Sequence, residues 1–319
     1  MIDKMDYSKN TKILPIIAGI VTAIIWGISF IFTKDVLNHT FPSQVMGLRF
    51  ASAVITLTIL KALGVIRIDL KGKGWKALIP LSLFQPGLYF MGETWGVKWT
   101  TASEAGMIIA LVPVVSTVMA GFFLKERVNF LQFICILISI VGVFVIVSTQ
   151  GELKFGEHLW GIVALFIAVI AQSAYSILSK KQSHKFTSVE ITYIMMWSGM
   201  IIFNTLGISQ SISTGTLDIY LSPLKLPSVT IGILYLGVIS SVFAFLMFNY
   251  ALAHLRISQT TTMLNLVPLV AVFGGVVIQN DPFGWLQAVG IVLILVGVWG
   301  TTIFGERQKK LTNDNNLKI

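Results

Sequence analysis

The chain has 319 residues, of which 55% are hydrophobic and 12% charged, and its mean hydropathy is +0.83. Soluble globular domains carry about 25% charged residues, so this composition excludes a soluble domain and favours an integral membrane protein. A net charge of +9 would be compatible with binding to nucleic acid, but the placement of the basic residues argues against that partner. The single cysteine, Cys135, excludes a disulfide framework and a CxxC metal site.

Hydrophobic stretches of about 20 residues recur along the chain, long enough for a helix to cross a hydrocarbon core of about 30 Å. We therefore predict an all-α polytopic protein with ten transmembrane helices. In chain order they are Ile13–Phe32, Pro42–Leu63, Ala77–Val97, Thr101–Leu124, Phe130–Ser148, His158–Ser179, Glu190–Ile208, Ser228–Ala251, Gln259–Gln279 and Phe283–Phe304. Polar tails, 1–12 and 305–319, flank them, and Ser209–Pro227 is predicted to be a surface loop.

The chain contains an internal repeat. The segment Trp95–Val143 recurs 155 residues later as Tyr250–Val298 without a gap. The matching pairs are Ser103 with Ser258, Pro113 with Pro268, Glu126 with Asp281, Leu131-Gln132 with Leu286-Gln287, and Gly142 with Gly297. A constant offset for such different residue types indicates a duplication, and we predict two five-helix units at residues 13–149 and 158–304.

The basic residues predict the orientation of these units. Eighteen of the 23 lysines and arginines fall in tails and turns on one side of the predicted helices, and four fall on the other. The positive-inside rule then makes both termini cytoplasmic. Because each unit has an odd number of helices, the second unit enters the membrane upside down. Inverted repeats are typical of alternating-access transporters.

The residues also resemble those of a known family. The matching pieces are Trp26-Gly27-Ile28-Ser29-Phe30 with Lys34, Arg49-Phe50, Thr100 through Pro113 to Leu124-Lys125-Glu126-Arg127, Ala171 to Lys180, and Ser258 through Pro268 to Asp281. On these segments the chain resembles the ten-helix EamA-type permeases of the drug/metabolite transporter superfamily. The resemblance implies that helices 1–4 and 6–9 surround a central cavity, and that the substrate is a metabolite or a drug. One departure is Gln279-Asn280-Asp281-Pro282, where the first unit has Leu124-Lys125-Glu126-Arg127.

Three charged residues are candidates for the transport path. Arg49 lies within the second predicted helix, where an arginine costs about 2.5–3.5 kcal/mol, so it should face protein or a water-filled cavity. Glu93 and Glu104 lie at a comparable depth, and either could pair with Arg49. Such a pair would bind a charged substrate or couple a proton, or it would only lock helices together. Glu104 also fits a capping box with Thr101.

Uncharged residues within apolar helices complete the predicted cavity. Together with the charged candidates, they give the set Trp26, Ser29, Arg49, Glu93, Gln172, Tyr175, Asn249, Tyr250 and Asn265. The amides in this set either line the cavity or only join helices by hydrogen bonds. Pro86, Pro113 and Pro268 lie inside predicted helices, where they serve as hinges or free carbonyls for solute.

These features favour secondary active transport of a small metabolite, such as an amino acid or related compound, across the cytoplasmic membrane, with export favoured. The sequence has no GxxxxGK[ST] motif for ATP and no HExxH motif, and it predicts no cofactor and no metal site. Proton-coupled efflux of lipophilic cationic drugs through Glu93 is the alternative. An intramembrane enzyme or a passive channel is a more remote alternative. The expected partners are a small-molecule substrate, the lipid bilayer and a coupling proton or ion; the oligomeric state stays open.

Overall fold

The computed structural model describes residues 7–123, 129–148, 156–215, 220–255, 260, 263–281 and 283–316. These residues form helices and turns, and the described part contains no strand. The helices are α1 (Tyr7–Leu37), α2 (Pro42–Ala62), α3 (Ile79–Ser82), α4 (Tyr89–Trp99), α5 (Ala102–Ile109), α6 (Val112–Phe123), α7 (Phe130–Ser148), α8 (Glu157–Gln182), α9 (Ser188–Ser213), α10 (Pro227–Leu234), α11 (Ala244–His254), α12 (Leu266–Ile278) and α13 (Trp285–Asn316).

Six helical stretches are long and apolar enough to cross a membrane. They are Ile13–Leu37, Pro42–Ala62, Ala102–Met119, Glu157–Gln182, Ser188–Ser213 and Pro227–His254. Shorter apolar helices lie at Phe130–Gly142, Leu266–Ile278 and Trp285–Gly300. Large apolar side chains are widely exposed on the outside of this bundle, as lipid-facing side chains are; Phe130 is 76% and Trp285 is 74% exposed. The chain is therefore a polytopic helical membrane protein, as the composition predicted.

The third and fourth predicted helices are broken, and within the described residues the ninth has a turn at 264–265 before α12. The predicted third helix consists of α3, a π-helical segment at Leu83–Leu88, and α4. Within that segment Gln85 is extended (φ −144°, ψ 115°) because it precedes Pro86, which disfavours helical geometry at the residue before it. The predicted fourth helix divides into α5 and α6 at a turn just before Pro113, whose ring nitrogen cannot donate to a helical carbonyl.

Several boundaries also differ from the predicted ones. α1 extends past Phe32 to Leu37, and α9 extends to Ser213, so the predicted loop Ser209–Pro227 begins as helix. The predicted tail at 305–319 likewise continues α13 as far as Asn316. Several residues used for the repeat and the charge count lie outside the described part of the chain, among them Leu124, Lys125, Glu126, Arg127, Lys154, Arg256, Ser258 and Pro282.

The helices pack in pairs that combine the two predicted repeats. α2 packs on α9, α7 packs on α13, and α5 packs on α12. α4 packs on α8 and α11 packs on α1; α6 packs on α8 and α12 packs on α1. Exchanging the first predicted repeat for the second turns each of these contacts into itself or into another of the set, except the contact between α5 and α12, whose counterpart falls largely outside the described residues.

The contact between α7 and α13 depends on two glycines. A Cβ atom at Gly142 would lie 2.7 Å from the carbonyl oxygen of Gly290, and one at Gly297 would clash with the carbonyl oxygen of Cys135. Gly142 and Gly297 are 155 residues apart, and so are Cys135 and Gly290. The two close approaches therefore join equivalent positions, each time with the roles of α7 and α13 exchanged.

Candidate functional site

A narrow cavity lies in the centre of the bundle. Its lining residues are Trp26, Phe30, Tyr89, Ile109, Gln172, Leu264 and Val267. Four of them belong to the first predicted repeat and three to the second. The cavity has a volume of about 10 Å³, close to the space that one water molecule needs. Its wall is aromatic and aliphatic apart from the Tyr89 hydroxyl and the Gln172 amide.

Gln172 is a polar group of this cavity wall without a partner among the described residues. Its side chain is 2% exposed, and neither its amide oxygen nor its amide nitrogen makes a hydrogen bond to that part of the chain. Leaving a buried polar group unpaired costs about 1–3 kcal/mol, so such groups are uncommon in folded proteins. The amide carries a free donor and a free acceptor at the same point of the cavity wall.

Trp26 forms the aromatic wall and is held firmly. Its indole nitrogen donates to the carbonyl oxygen of Ser240 at 3.2 Å, and its ring packs against Phe245 and Phe248, each with a centroid distance of 4.9 Å. Because α1 and α11 come from different predicted repeats, Trp26 joins the halves beside the cavity. Ser29 donates to the carbonyl oxygen of Trp26 at 2.7 Å, so its hydroxyl bonds within α1 instead of lining the cavity.

Arg49 is buried and bonded to two serines that the sequence reading did not connect with it. Its Nε donates to Ser241 Oγ at 2.7 Å, and its Nη2 donates to Ser240 Oγ at 3.0 Å. The guanidinium carbon also lies 4.2 Å from the ring centroid of Phe90, a cation–π contact. Both serines lie in a π-helical segment at Tyr235–Phe243, and π-helical turns are frequent at functional sites.

The expected direct ion pair of Arg49 does not form. Among the described residues, neither Glu93 nor Glu104 has a carboxylate oxygen within 4.0 Å of its guanidinium. Glu93 is 2% exposed and accepts a hydrogen bond from Thr94 Oγ1 at 3.3 Å. Two serine hydroxyls of the π-helical segment accept hydrogen bonds from the guanidinium instead.

Glu104 has a structural role at a helix start. It forms the predicted capping box of α5 with Thr101, whose hydroxyl oxygen accepts from the Glu104 backbone nitrogen at 3.1 Å. His158, at the start of α8, lies 3.3 Å from the same carboxylate. Next to this cap, Asp281 Oδ2 accepts from the backbone nitrogen and hydroxyl of Ser103 at 3.0 and 2.7 Å, which joins the turn after α12 to α5.

Tyr175 and Asn249 belong to a fully paired network. The Asn249 side-chain oxygen accepts from the hydroxyls of Tyr175 at 2.5 Å and Ser179 at 2.8 Å. Its amide nitrogen donates to Thr192 Oγ1 at 3.0 Å. The network ties α8, α9 and α11 together in the core. These two predicted cavity residues therefore join helices and do not line the cavity.

The other predicted residues lie at helix ends. Tyr250 packs against His254 near the end of α11, with a ring-centroid distance of 4.2 Å, and is not in the cavity wall. Asn265 immediately precedes α12, next to Leu264 of the wall, and its buried side-chain oxygen has no hydrogen-bond partner among the residues that the structure describes. Pro113 and Pro268 lie in the first turns of α6 and α12, where a missing N–H is tolerated, so both begin helices and do not interrupt them.

Two half-buried lysines, Lys34 and Lys180, also join helices, and these contacts were not predicted from the sequence. Lys34 Nζ donates to the carbonyl oxygens of Val97 at 3.0 Å and Thr100 at 2.5 Å, at the end of α4. Lys180 Nζ donates to Leu252 at 2.7 Å and Leu255 at 2.9 Å, at the end of α11. The sequence feature that could have indicated these contacts is the position of each lysine at the end of an apolar helix. In the described part of the chain, no three His, Cys, Asp or Glu residues cluster so as to hold a metal.

Comparison with known proteins agrees with these features. The EamA-like transporter family matches residues 13–148 and 159–303. An uncharacterized transporter of Bacillus subtilis, YcxC, is 29% identical over 92% of this chain and 94% of its own length. A probable amino-acid metabolite efflux pump of Escherichia coli is 21% identical over 92% of this chain and 96% of its own length. A solved crystal structure shares the fold with a TM-score of 0.63 and 16% identity, covering 92% of this chain and 98% of that one.

The family match spans nearly the whole chain, and the matched relatives are transporters, not enzymes. A multi-pass helical bundle with a small central cavity is consistent with that role. The chain belongs to the EamA-like transporter family, within the drug/metabolite transporter superfamily, and it is a membrane transporter of small molecules.

Proposed function

We propose that this protein is a secondary active transporter in which two inverted five-helix halves, residues 13–149 and 158–304, alternately open a shared central site to the two sides of the cytoplasmic membrane. The single observation that carries the proposal is the central cavity. Residues of both halves line it, and the buried Gln172 amide in its wall neither donates nor accepts a hydrogen bond within the described part of the chain. A site of this kind, between two repeats, is where secondary transporters bind their substrates.

The repeated contacts support the inverted duplication. Lys34 and Lys180 bond to carbonyls of residues 155 positions apart, the same offset that separates the glycines of the contact between α7 and α13. A random pair of apolar helices would not reproduce both the residue types and the partner atoms. Ten spans with both termini in the cytoplasm follow from this duplication together with the positive-inside count.

The inter-half contacts supply the parts that must separate during transport. Asp281 bonds to Ser103 at one end of the bundle, and Trp26 bonds to the Ser240 carbonyl beside the cavity. Opening the cavity to the Asp281 side requires the Asp281–Ser103 bonds to break. The proposed hinges are the helix boundaries at Pro86, Pro113 and Pro268, where backbone hydrogen bonding is not continuous from one helical segment to the next.

The cavity lining suggests the class of substrate. The wall combines aromatic and aliphatic surface with one amide that can both donate and accept a hydrogen bond. The cavity as it stands has room for about one water molecule. Widened when the halves open, such a site would suit a small organic metabolite with an apolar portion and a polar group, for example an amino acid or a related compound. The name of the Escherichia coli relative, a probable amino-acid metabolite efflux pump, supports this class and supports export as the direction.

Flux measurements on the reconstituted full chain test the proposal. Vesicles loaded with unlabelled amino acids and related metabolites should accelerate uptake of the same labelled compound, and initial rates should saturate. Replacing Gln172 by Leu should raise the half-saturation concentration. Non-saturating flux without counter-exchange would indicate a channel and would contradict alternating access.

Proton-coupled efflux of a lipophilic cation is the second candidate, because Glu93 is a buried carboxylate without an ion-pair partner within 4.0 Å among the described residues. A buried acid of this kind is a candidate proton carrier. Glu93→Gln should then abolish flux driven by a pH gradient while leaving counter-exchange intact. Unchanged gradient-driven flux in the variant would remove Glu93 from any coupling role.

A further inference from the structure

The basic segment between α2 and α3, residues 63–78, is held in a defined position. Glu190, at the start of α9, accepts from Lys73 Nζ at 2.7 Å and from the backbone nitrogen of Asp69 at 3.3 Å. Glu190 is itself fixed by a capping box with Thr187. Because a buried carboxylate binds this segment at two points, the surface that the segment presents is preformed.

This segment and the adjoining helices enclose a surface pocket of about 680 Å³. Three exposed lysines line it, Lys61, Lys71 and Lys76, together with one acid, Asp69. Asp69 Oδ1 accepts a hydrogen bond from the backbone nitrogen of Lys71. Among the described residues, none of the three lysines has a carboxylate within 4.0 Å, so the pocket keeps a positive charge.

The pocket is apolar as well as basic. Leu70, Trp75 and Tyr193 line it, and Trp75 is 42% exposed. The Lys61 ammonium lies 5.5 Å from the centroid of the Tyr193 ring. Next to the pocket, Leu63 and Val65 expose 71% and 67% of their surface. Tryptophan is enriched at the membrane–water interface, and lysines just outside a membrane span attract anionic lipids.

We propose that this pocket binds the headgroup of an anionic phospholipid, with Lys61, Lys71 and Lys76 around the phosphate and Trp75 beside the first carbons of the acyl chains. A soluble anion would use the lysines alone. The exposed apolar side chains around the pocket have a matching partner only when the anion carries a hydrocarbon chain. The proposal requires that α2 and α9 are embedded in a bilayer, and it is independent of what the central cavity transports.

Native mass spectrometry of the full chain in detergent tests this site. The protein is titrated with dioleoyl phosphatidylglycerol or dioleoyl phosphatidylcholine, and the bound lipid is counted. Wild type should retain phosphatidylglycerol preferentially. The double variant Lys71→Gln with Lys76→Gln should lose that preference, with affinity falling by about fivefold for each lysine removed. The double variant Lys181→Gln with Lys225→Gln removes two exposed lysines away from the pocket and should bind as wild type does.

Three outcomes would overturn the proposal. Equal retention of both lipids would exclude recognition of the phosphoglycerol charge. An equal loss in the control variant would show a diffuse effect of net charge. Displacement of the lipid by an equal concentration of glycerol 3-phosphate would identify a soluble anion as the ligand. Lys61→Gln gives an independent check with a single change, and melting temperatures close to wild type establish that each variant is folded.

Discussion

Lys34 and Lys180 hold equivalent carbonyls at the ends of α4 and α11. Their partners Val97 and Leu252 are 155 residues apart, as are Thr100 and Leu255. Each ammonium group reaches the C-terminal end of a helix, where carbonyl oxygens lack intrahelical donors and a positive charge is favourable. If the duplication is inverted as proposed, the two lysines lie at opposite ends of the bundle.

Removing either lysine should therefore destabilise the fold to a similar extent. Lys34→Met and Lys180→Met each leave buried carbonyls without a charged donor, a loss of about 1.5–3 kcal/mol for a hydrogen bond to a charged group. Thermal unfolding in detergent measures this. Lys181→Met is the matched control, since Lys181 is exposed and follows Lys180 in the chain. If Lys181→Met lowered the thermal stability as much as Lys180→Met, the hydrogen bonds from Lys180 to the carbonyl oxygens would not be the cause of the loss.

Gln172 and Asn249 should respond in opposite ways to the same substitution. Gln172→Leu removes an amide without a protein partner, so the free energy of unfolding should stay level or rise, while the half-saturation concentration for substrate should rise about three- to tenfold.

Asn249→Leu removes three hydrogen bonds and should lower the free energy of unfolding by about 2 kcal/mol or more. Unfolding titrations and saturation curves on both variants give the comparison. A strongly destabilised Gln172→Leu would show that the amide has a structural partner.

The bonds of Arg49 to the π-helical segment should appear as coupling energy. A double-mutant cycle of Arg49→Met with Ser241→Ala should give about 1.5–3 kcal/mol in unfolding free energy, because the hydrogen bond joins a charged and a neutral group. Ser52→Ala is the matched control. Its hydroxyl donates to the Arg49 backbone carbonyl, so its effect should add to that of Arg49→Met. Additivity in both cycles would contradict the assignment.

The contact between α7 and α13 should be equally sensitive at its two glycines. Gly142→Leu and Gly297→Leu each force a side chain against a backbone carbonyl of the neighbouring helix, and overpacking of this kind costs about 1–3 kcal/mol. Val296→Leu enlarges a residue of α13 that is 51% exposed and should have little effect. Melting temperatures report all three. A large effect at only one of the two glycines would contradict equivalent packing.

The sequence predicted the helical class and most helix positions because a membrane span requires a minimum apolar length. It missed the breaks at Gln85 and Ala110, although each lies near a proline, since the same pattern also fits a bent continuous helix. It also ended the first helix before Lys34, because a charge normally marks the end of an apolar run. α1 continues past Lys34, whose ammonium group donates a hydrogen bond to a backbone carbonyl oxygen of α4.

Within the candidate site, residue types were more predictable than partners. The wall of the central cavity includes Trp26 and Gln172, and their part in substrate binding stays a prediction. The partner of Arg49 could not be read from the sequence. Charge complementarity favoured Glu93, but the geometry of a π-helical segment, which has no periodic signature, turns Ser240 and Ser241 towards it.

The orientation of the two halves is tested most directly by labelling single cysteines from one side of the membrane. The single cysteines are introduced in a Cys135→Ser background. Asn38→Cys lies just after the end of α1, and His184→Cys lies just after the end of α8; both positions are exposed. An impermeant maleimide added to intact cells should label Cys at 38 and leave Cys at 184 unlabelled until the membrane is opened. Labelling of both positions from the same side would contradict inverted halves and the alternating-access mechanism built on them.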